Sequence, residues 1–270
     1  MPQSVSIDHR RVTALLQRVG AEVILPRHRA LLAGDVSEKT PGELVTVVDV
    51  EAERQLAQGL LALMPGSVVI GEEGVAAQPA LLQRVDAGTA WLVDPIDGTS
   101  NFVSGHGPFA VMVVLLREGV ALAAWIHDPV AGSTCSAELG AGAFVDGQRL
   151  HTRAASRVVR GIVKTKFLPD ELKVSVAGRA QALHEVQPGS GCAGADYPAL
   201  IAGASDFALY WRTLPWDHAP GVLLLGEAGG HAARLDGSAY RAGDPRPGLL
   251  AAGSRDLWDE AHALLFAPPP

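Results

Sequence analysis

The chain has 270 residues, of which 48% are hydrophobic, 5% aromatic and 19% charged, and its 22 basic and 29 acidic side chains give a formal net charge of −7. This acidic balance argues against a nucleic-acid-binding protein, which ordinarily presents a basic face. The high apolar content argues against intrinsic disorder. We therefore expect a folded protein whose partners do not include nucleic acid.

Cysteine content and hydropathy bear on the compartment. Two cysteines, Cys135 and Cys192, are too few for a disulfide framework and favour a reducing compartment. The longest apolar run, residues 109–116, is far shorter than the roughly 18–20 residues of a membrane-spanning helix. Residues 1–11 are polar and lack the apolar core of a secretory signal. We expect a cytoplasmic protein with no membrane partner.

The first part of the chain favours two helices. A helix over residues 7–32 is predicted from one apolar face and should be interrupted at Pro26. A second helix follows Asp49 and is stopped by Pro65 and Gly66. Short strands over residues 68–70 and 91–93 come next, and each leads directly into acidic residues.

The rest of the chain alternates between strands and helices. A hairpin is predicted over residues 110–116 and 120–126, then strands near 161–166 and 184–186. Helices are predicted after Pro169, over residues 195–202 and 217–227, and from Asp256. No Gly-x-Gly-x-x-Gly loop indicates a dinucleotide fold. The pattern predicts an α/β (α+β) protein with two packed halves, residues 1–152 and 153–270.

The strongest chemical signal is the segment DPIDGT at residues 94–99, directly after the apolar segment WLV. Pro95 fixes one backbone angle and Gly98 permits a tight turn, so Asp94 and Asp97 can converge on one point. Carboxylate and carbonyl oxygens are the ligands that Mg²⁺ prefers. The alternative interpretation is an Asp-Pro turn with a capping aspartate.

Three further acidic residues directly follow apolar residues. Glu72 comes shortly after the strand at residues 68–70, Asp49 follows residues 45–48, and Asp217 follows Trp216. Each has a plainer interpretation, as a solvated turn or a helix cap. Acidic residues at strand ends are nevertheless candidates for one shared site, because layered α/β folds bind ligands at those ends.

Together these segments resemble the inositol monophosphatase family. The resemblance extends over residues 35–253 and rests on Thr46 with Asp49, the segment GEE at residues 71–73, DPIDGTSNF at 94–102, and Trp216 with Asp217. It implies a layered αβαβα sandwich of the inositol monophosphatase and fructose-1,6-bisphosphatase type. It also implies a lithium-sensitive, Mg²⁺-dependent phosphatase that forms a homodimer.

The resemblance implies two to three Mg²⁺ ions. Glu72, Asp94 and the carbonyl of Ile96 would hold one ion. Asp94, Asp97 and Asp217 would hold a second, with Asp94 bridging, and a third would bind near Glu72 through waters. Glu72 would thus serve both metal binding and catalysis, while Thr99 and Asp49 would orient and deprotonate the attacking water.

The substrate side departs from the family pattern. Expected phosphate or substrate contacts are Gly98, Thr99, Ser100, Gly191, Cys192, Ala193, Tyr210 and Asp217. The arginine that inositol-phosphate enzymes carry before this glycine-rich segment is missing from residues 187–194, and Tyr210 stands where they place a glutamate. Tyr210 and Trp211 are either an aromatic wall of the pocket or part of the core, and we favour the core.

The resulting hypothesis is a phosphomonoesterase that hydrolyses a small phosphorylated metabolite similar to inositol 1-phosphate. Hydrolysis of histidinol phosphate or of a 3′(2′),5′-bisphosphate nucleotide is the alternative within the same class, suggested by Tyr210, Trp211 and Arg212. A different class remains open, in which the chain acts as a regulatory partner of the transcription machinery.

Overall fold

A computed structural model describes residues 7–153 and 157–266, and within them it has eight α-helices and fourteen strands. The expectation about a secretory signal lies partly outside the described residues. In chain order the helices are α1 His9–Val19, α2 Val47–Leu63, α3 Glu72–Ala77, α4 Thr99–Ser104, α5 Asp170–Ala180, α6 Ala193–Ile201, α7 Pro215–Glu227 and α8 Arg255–Phe266.

The strands form one hairpin and two larger sheets. In chain order they are β1 Val36–Thr40, β2 Glu43–Thr46, β3 Val68–Gly71, β4 Thr89–Asp97, β5 Ala110–Arg117, β6 Val120–Asp128, β7 Ser133–Glu138, β8 Gly142–Val145, β9 Gln148–Leu150, β10 Arg160–Val163, β11 Glu185–Gln187, β12 Phe207–Tyr210, β13 His231–Ala233 and β14 Leu249–Ala252.

The two larger sheets differ in their connections. The seven-stranded sheet runs β3 to β9 in sequence order, and only its edge pair, β3 with β4, is parallel. The five-stranded sheet has the order β11-β10-β12-β14-β13, with the first three strands parallel and β14 antiparallel to both neighbours. The hairpin β1–β2 stands apart from both sheets.

Helices cover both faces of each large sheet. On the seven-stranded sheet, α1 and α2 pack on one face, while α6 and α7 fill the space between the two sheets. On the far face of the five-stranded sheet lie α5 and α8. The layers are therefore helices, sheet, helices, sheet, helices, which confirms the predicted αβαβα sandwich.

Strand β5 shows how the sequence forms this layering. Its side chains alternate between the two faces of the sheet: Val111 and Val113 pack against the outer helices, whereas Met112 and Val114 pack against the inner ones. Because both faces are buried, the strand is a continuous apolar run rather than an alternating one. The same double burial explains why the longest apolar run of the sequence, residues 109–116, falls on this strand.

Several predicted bounds need correction. The helix over residues 7–32 is wrong beyond Arg27, since α1 ends at Val19 and is followed by a π turn over Gly20–Ile24 and a 3₁₀ turn over Leu25–Arg27. Proline at position 26 has no N–H to continue an α-helix. The hairpin β1–β2 and the strands β12, β13 and β14 were not predicted, because short strands inside mixed segments give little periodic signal.

The position of the two halves bears on the domain prediction. All strands of the seven-stranded sheet precede residue 152, and all strands of the five-stranded sheet follow residue 153. Helices α6 and α7 nevertheless pack into one core with residues of both sheets. The division at residues 152 and 153 stays a prediction.

Among the described residues, no helix is both long and apolar enough to span a bilayer.

Candidate active site

A bulge in β4 brings Asp94 and Asp97 to the same side of the sheet. Asp94 pairs with Met112 of β5 and Asp97 pairs with Ala110, so three steps along β4 match two along β5. Residues three apart on a regular strand face opposite sides, and one extra residue reverses that relationship. Both carboxylates therefore face the inner helices, and both are buried.

Glu72 reaches the same place from the neighbouring strand. In the parallel pair β3–β4, Ile70 is opposite Leu92 and Gly71 is opposite Val93. Continuing that register puts Glu72, the first residue of α3, at the level of Asp94. The parallel pairing thus makes two strand ends finish at one edge of the sheet.

The third carboxylate comes from the other half of the chain. Asp217 lies in the first turn of α7, which Pro215 begins. Oxygen atoms of Glu72, Asp94 and Asp217 all lie within 4.8 Å of one another. Asp217, more than a hundred positions away in sequence, therefore forms one cluster with Glu72 and Asp94.

Burial and mutual repulsion make this cluster electrostatically costly. Burial, with the charges of Glu72, Asp97 and Asp217, raises the pKa of Asp94 well above its usual value. Burial and the charge of Asp97 likewise raise the pKa of Asp217 well above its usual value. Burial also raises the pKa of Asp97 to about 6, against the opposing effect of the Gly194 N–H. Acidic groups held this way favour a bound cation.

The two carboxylate oxygens of Asp49 have different contacts: one caps helix α2 and the other faces Thr99 at the site. Oδ2 accepts hydrogen bonds from the N–H and the hydroxyl of Thr46, which caps α2 in a reciprocal capping box. Oδ1 lies 3.2 Å from the hydroxyl of Thr99. Burial raises the pKa of Asp49, although the hydrogen bonds from Thr46 oppose the shift. Asp49 therefore does take part in capping α2, as the partner of the N-cap residue Thr46, and it also faces the site.

Asp97 is fixed by the start of α6. Its Oδ2 accepts hydrogen bonds from the Gly194 N–H at 2.6 Å and from the Cys192 thiol at 3.1 Å. The Cys192 side chain is fully buried. The Cys192 thiol therefore points to the Asp97 carboxylate. Cys192 is not among the described residues that line the cavity.

Gly98 is required by the close approach of the two halves. It has a φ of +88°, and a Cβ there would lie 3.0 Å from the carbonyl oxygen of Pro108 and 3.1 Å from the Cβ of Cys192. Asn101 joins the same segments, since its amide donates to the Pro108 carbonyl at 2.7 Å and to the Ser190 carbonyl at 2.9 Å.

A lysine from the hairpin reaches the acidic cluster. Lys39 Nζ lies 2.7 Å from a carboxylate oxygen of Glu72 and 2.7 Å from one of Glu73. Burial raises the pKa of Glu73 to about 7, although Lys39 opposes the shift. Glu53 of α2 supports this corner, because its carboxylate accepts the N–H groups of Glu73 and Gly74.

These groups surround a cavity of about 540 Å³. The predicted site residues that line it are Glu72, Asp94, Ile96, Asp97, Gly98, Thr99, Ser100, Gly191, Ala193, Tyr210 and Asp217. Asp49 lies behind Thr99 and is only 1% exposed. The structure thus brings together residues predicted from both halves of the chain.

Tyr210 belongs to the core and also borders the cavity. It is 3% exposed and stacks on Tyr197, with ring centroids 5.7 Å apart. His218 packs against it at 4.6 Å, and burial lowers the pKa of this histidine to about 3, which leaves it neutral. Among the described residues, no group accepts or donates a hydrogen bond at the Tyr210 hydroxyl.

The sequence pointed to Arg212 as a residue that bears on the substrate, but not to the two lysines that line the same cavity. Lys164 and Lys166, which follow β10, line it together with Phe167 and Arg212. A signal for them existed, since Lys164 directly follows the short strand β10 and Lys166 comes two residues later. Side-chain direction at a strand end cannot be read from one sequence, and Lys166 was considered only as part of that strand.

Comparison with known proteins identifies the family. The model of the inositol monophosphatase family matches residues 8–267. An inositol-1-monophosphatase of Rhizobium meliloti is 30% identical, with 87% of this chain and 87% of the relative covered. A protein of Pseudomonas aeruginosa named Nus factor SuhB is 29% identical, with 82% of this chain and 83% of the relative covered.

The fold comparison gives the same result. The crystal structure of inositol monophosphatase II from Staphylococcus aureus superimposes with a TM-score of 0.79 at 26% identity, covering 94% of this chain and 91% of that one. The matched family model extends over nearly the whole described chain. The chain belongs to the inositol monophosphatase family and is a phosphoric monoester hydrolase.

Proposed function

We propose that the chain is a Mg²⁺-dependent phosphomonoesterase that hydrolyses a small phosphorylated metabolite. The observation that carries the proposal is the cluster of Glu72, Asp94 and Asp217, whose oxygens lie within 4.8 Å of one another beside a 540 Å³ cavity. A cavity of this volume suits a small molecule.

The donor set fits a hard divalent cation. It consists of carboxylate oxygens, and burial raises the pKa of two of the three groups well above its usual value. We assign Glu72, Asp94 and the Ile96 carbonyl to one ion, and Asp94, Asp97 and Asp217 to another. A third near Glu72 stays a prediction. Bound there, Mg²⁺ would neutralise the carboxylates and stabilise charge on a transferring phosphoryl group.

The water that attacks phosphorus would be positioned by Thr99 and Asp49. The Thr99 hydroxyl lies 3.0 Å from the Ile96 carbonyl oxygen and 3.2 Å from Asp49 Oδ1. With the Ile96 carbonyl bound to Mg²⁺, the hydroxyl would donate to Asp49, and its oxygen would accept a hydrogen bond from water in the cavity. Burial raises the pKa of Asp49, so this carboxylate is a stronger base than an exposed aspartate. The proton of the water would pass through Thr99 to Asp49.

The phosphate would rest against the turn that follows β4. Gly98, Thr99 and Ser100 line the cavity there, and Gly191 and Ala193 line it from the other half. Small residues at these positions let the backbone approach an anion closely. Cys192 would act through its backbone and through Asp97, since its thiol donates to that carboxylate.

The identity of the substrate depends on the cavity residues that would contact the part of it beyond the phosphate. We retain an inositol-1-phosphate-like metabolite as the first candidate, with histidinol phosphate and a 3′(2′),5′-bisphosphate nucleotide as alternatives, because Tyr210 borders the cavity. Lithium sensitivity, a homodimer, a cytoplasmic location and the lack of a nucleic-acid partner stay expectations.

The direct experiment measures phosphate release from inositol 1-phosphate, histidinol phosphate and adenosine 3′,5′-bisphosphate, with Mg²⁺ and with a chelator. We expect Mg²⁺-dependent release from at least one, and loss of it in Asp94→Asn. Glu118→Gln is the control, since Glu118 is an exposed carboxylate in the β5–β6 turn. Full activity in Asp94→Asn would contradict the assignment of Asp94 as a metal ligand.

A second candidate is a regulatory role in transcription, which is compatible with the similarity to the Pseudomonas aeruginosa protein named Nus factor SuhB. Affinity capture from lysate with wild type and Asp94→Asn separates the two roles. Capture of RNA polymerase that survives loss of catalysis would support a regulatory partner. Its absence with both proteins would leave the enzyme as the better description.

A further inference from the structure

One wall of the cavity is basic. Lys164, Lys166 and Arg212 all line it, the two lysines from the segment after β10 and the arginine from the segment after β12. Three cations beside one phosphoryl site exceed what a single phosphate ester requires once Mg²⁺ is bound. Which of the three already has a counterion decides what this wall can bind.

Lys164 is already neutralised. Its Nζ lies 2.7 Å from Asp196 Oδ2, a carboxylate that is 2% exposed. Asp196 is held in turn by Ser190, whose N–H and hydroxyl both donate to Oδ1. The ammonium also lies 4.9 Å from the centroid of the Tyr210 ring. Lys164 is therefore a fixed, paired cation.

Arg212 is partly neutralised. It forms an ion pair with Glu43 of β2, and both side chains are 38% exposed. Its guanidinium also lies over the Phe167 ring, 4.5 Å from the centroid. An ion pair this exposed to solvent is weak and readily rearranged.

Lys166 has no carboxylate partner among the described residues. Its contact is with the same aromatic ring, since Nζ lies 5.1 Å from the centroid of Phe167. Two cations on one ring cannot be much farther apart than a Debye length, ~10 Å at 0.1 M salt, so they repel each other. An anion between them would relieve that repulsion.

We propose that Lys166 and Arg212, whose cationic groups both lie close to the exposed Phe167 ring, bind a second anionic group of the substrate. The substrate is then a phosphomonoester whose remainder carries a carboxylate or a further phosphate, which among the candidates named above favours the bisphosphate nucleotide over inositol 1-phosphate. This proposal rests on the proposed function, which supplies the site for the reacting phosphoryl group. It extends that function by naming a specificity-determining residue, Lys166.

Two matched substrate pairs test the proposal. The pair 3-phosphoglycerate and glycerol 3-phosphate differs by a carboxylate, and the pair fructose 1,6-bisphosphate and fructose 1-phosphate differs by a phosphate. A chain of net charge −7 has no general reason to prefer the more anionic member of either pair. We expect wild type to favour it in at least one pair, with a kcat/KM ratio of about tenfold.

Substitutions at Lys166 then test whether this residue causes the preference for the more anionic substrate. Lys166→Ala should lower that ratio by about tenfold, chiefly through KM, and added salt should lower it in wild type. Lys166→Arg should retain most of it, because the positive charge is kept. Lys173→Ala is the control, since Lys173 is an exposed lysine of α5 that does not line the cavity.

The outcomes separate the two proposals. Hydrolysis of glycerol 3-phosphate or fructose 1-phosphate without any preference for the partner that carries a second anionic group, or an unchanged ratio in Lys166→Ala, would overturn the second anionic subsite and leave the phosphatase intact. Release from inositol 1-phosphate but from none of these four compounds would also overturn the subsite alone, whereas absence of Mg²⁺-dependent release from these four and from the three substrates of the earlier experiment would overturn both proposals. A preference in only one pair identifies the second group as a carboxylate or a phosphate.

Discussion

Thr99 Oγ1 lies 3.2 Å from Asp49 Oδ1, although the two residues are fifty positions apart in sequence. The other oxygen of Asp49 closes the capping box of α2 with Thr46. A helix start therefore fixes the direction in which the carboxylate faces Thr99. The same residue stabilises the fold and prepares a candidate base.

Removal of the Thr99 hydroxyl tests this relationship. Thr99→Val keeps the side-chain volume and deletes the group between Asp49 and the cavity, so we expect kcat to fall by about 10²–10⁴-fold. The Mg²⁺ concentration for half-maximal activity should change little, because Thr99 is not assigned as a ligand. Thr99→Ser keeps the hydroxyl and should retain most activity. Equal losses in both variants would argue against a proton relay.

Asp94→Asn should have opposite effects on stability and activity. Asp94 is buried close to four other carboxylates, those of Glu72, Asp97, Asp217 and Asp49, so an uncharged amide should raise the melting temperature of the metal-free protein by about 2–4 °C. The increase in melting temperature on adding Mg²⁺ should disappear. Differential scanning fluorimetry in chelator and in Mg²⁺ measures both effects. A lower metal-free melting temperature would mean that the carboxylate has a structural role.

The stabilisation by Mg²⁺ should depend on pH. The folded-state pKa of Asp97 is raised by burial to about 6, so the metal-free protein binds more protons than the unfolded chain between roughly pH 4 and 6. This group therefore favours the folded state at low pH and loses that contribution as pH rises through 6. Because Mg²⁺ competes with those protons, its binding should strengthen over the same interval.

The measurement is the difference in melting temperature with and without Mg²⁺ at pH 5.5 and pH 7.5. We expect the larger difference at pH 7.5. Buried histidines such as His218, whose pKa burial lowers to about 3, contribute equally with and without the ion and cancel. A difference that is independent of pH would contradict metal binding at these raised-pKa carboxylates.

Gly221 tests the packing of the inner helix layer. A Cβ on Gly221 would lie 2.0 Å from the Tyr197 ring, so α6 and α7 approach closely there. Gly221→Ala should lower the free energy of unfolding by about 1–3 kcal/mol, because overpacking forces buried groups apart. Gly226→Ala, on the same helix with nothing within 4 Å, should raise it by less than about 1 kcal/mol. Chemical denaturation of the two variants gives the comparison.

Much of the architecture follows from local patterns. The apolar stripe of α2, the continuous apolar strand β5 and the stop at Pro65 are visible in the sequence, since periodicity and turn residues act over a few positions. The resemblance of residues 94–102 to one family predicted the sandwich and the acidic residues to examine. The hairpin β1–β2, the strands β12, β13 and β14, and the bounds of α1 were missed because long-range pairing and packing decide them.

The sequence by itself determined which acidic residues stand at strand and helix ends, because those positions are local. Only the tertiary structure decided that Glu72, Asp94 and Asp217 meet, since a parallel strand pair, a bulge in β4 and the start of α7 must coincide in space. It also decided that Cys192 is directed at Asp97 and that Lys166 lies beside Arg212 on one ring. Distances between residues far apart in sequence depend on packing, which no local pattern contains.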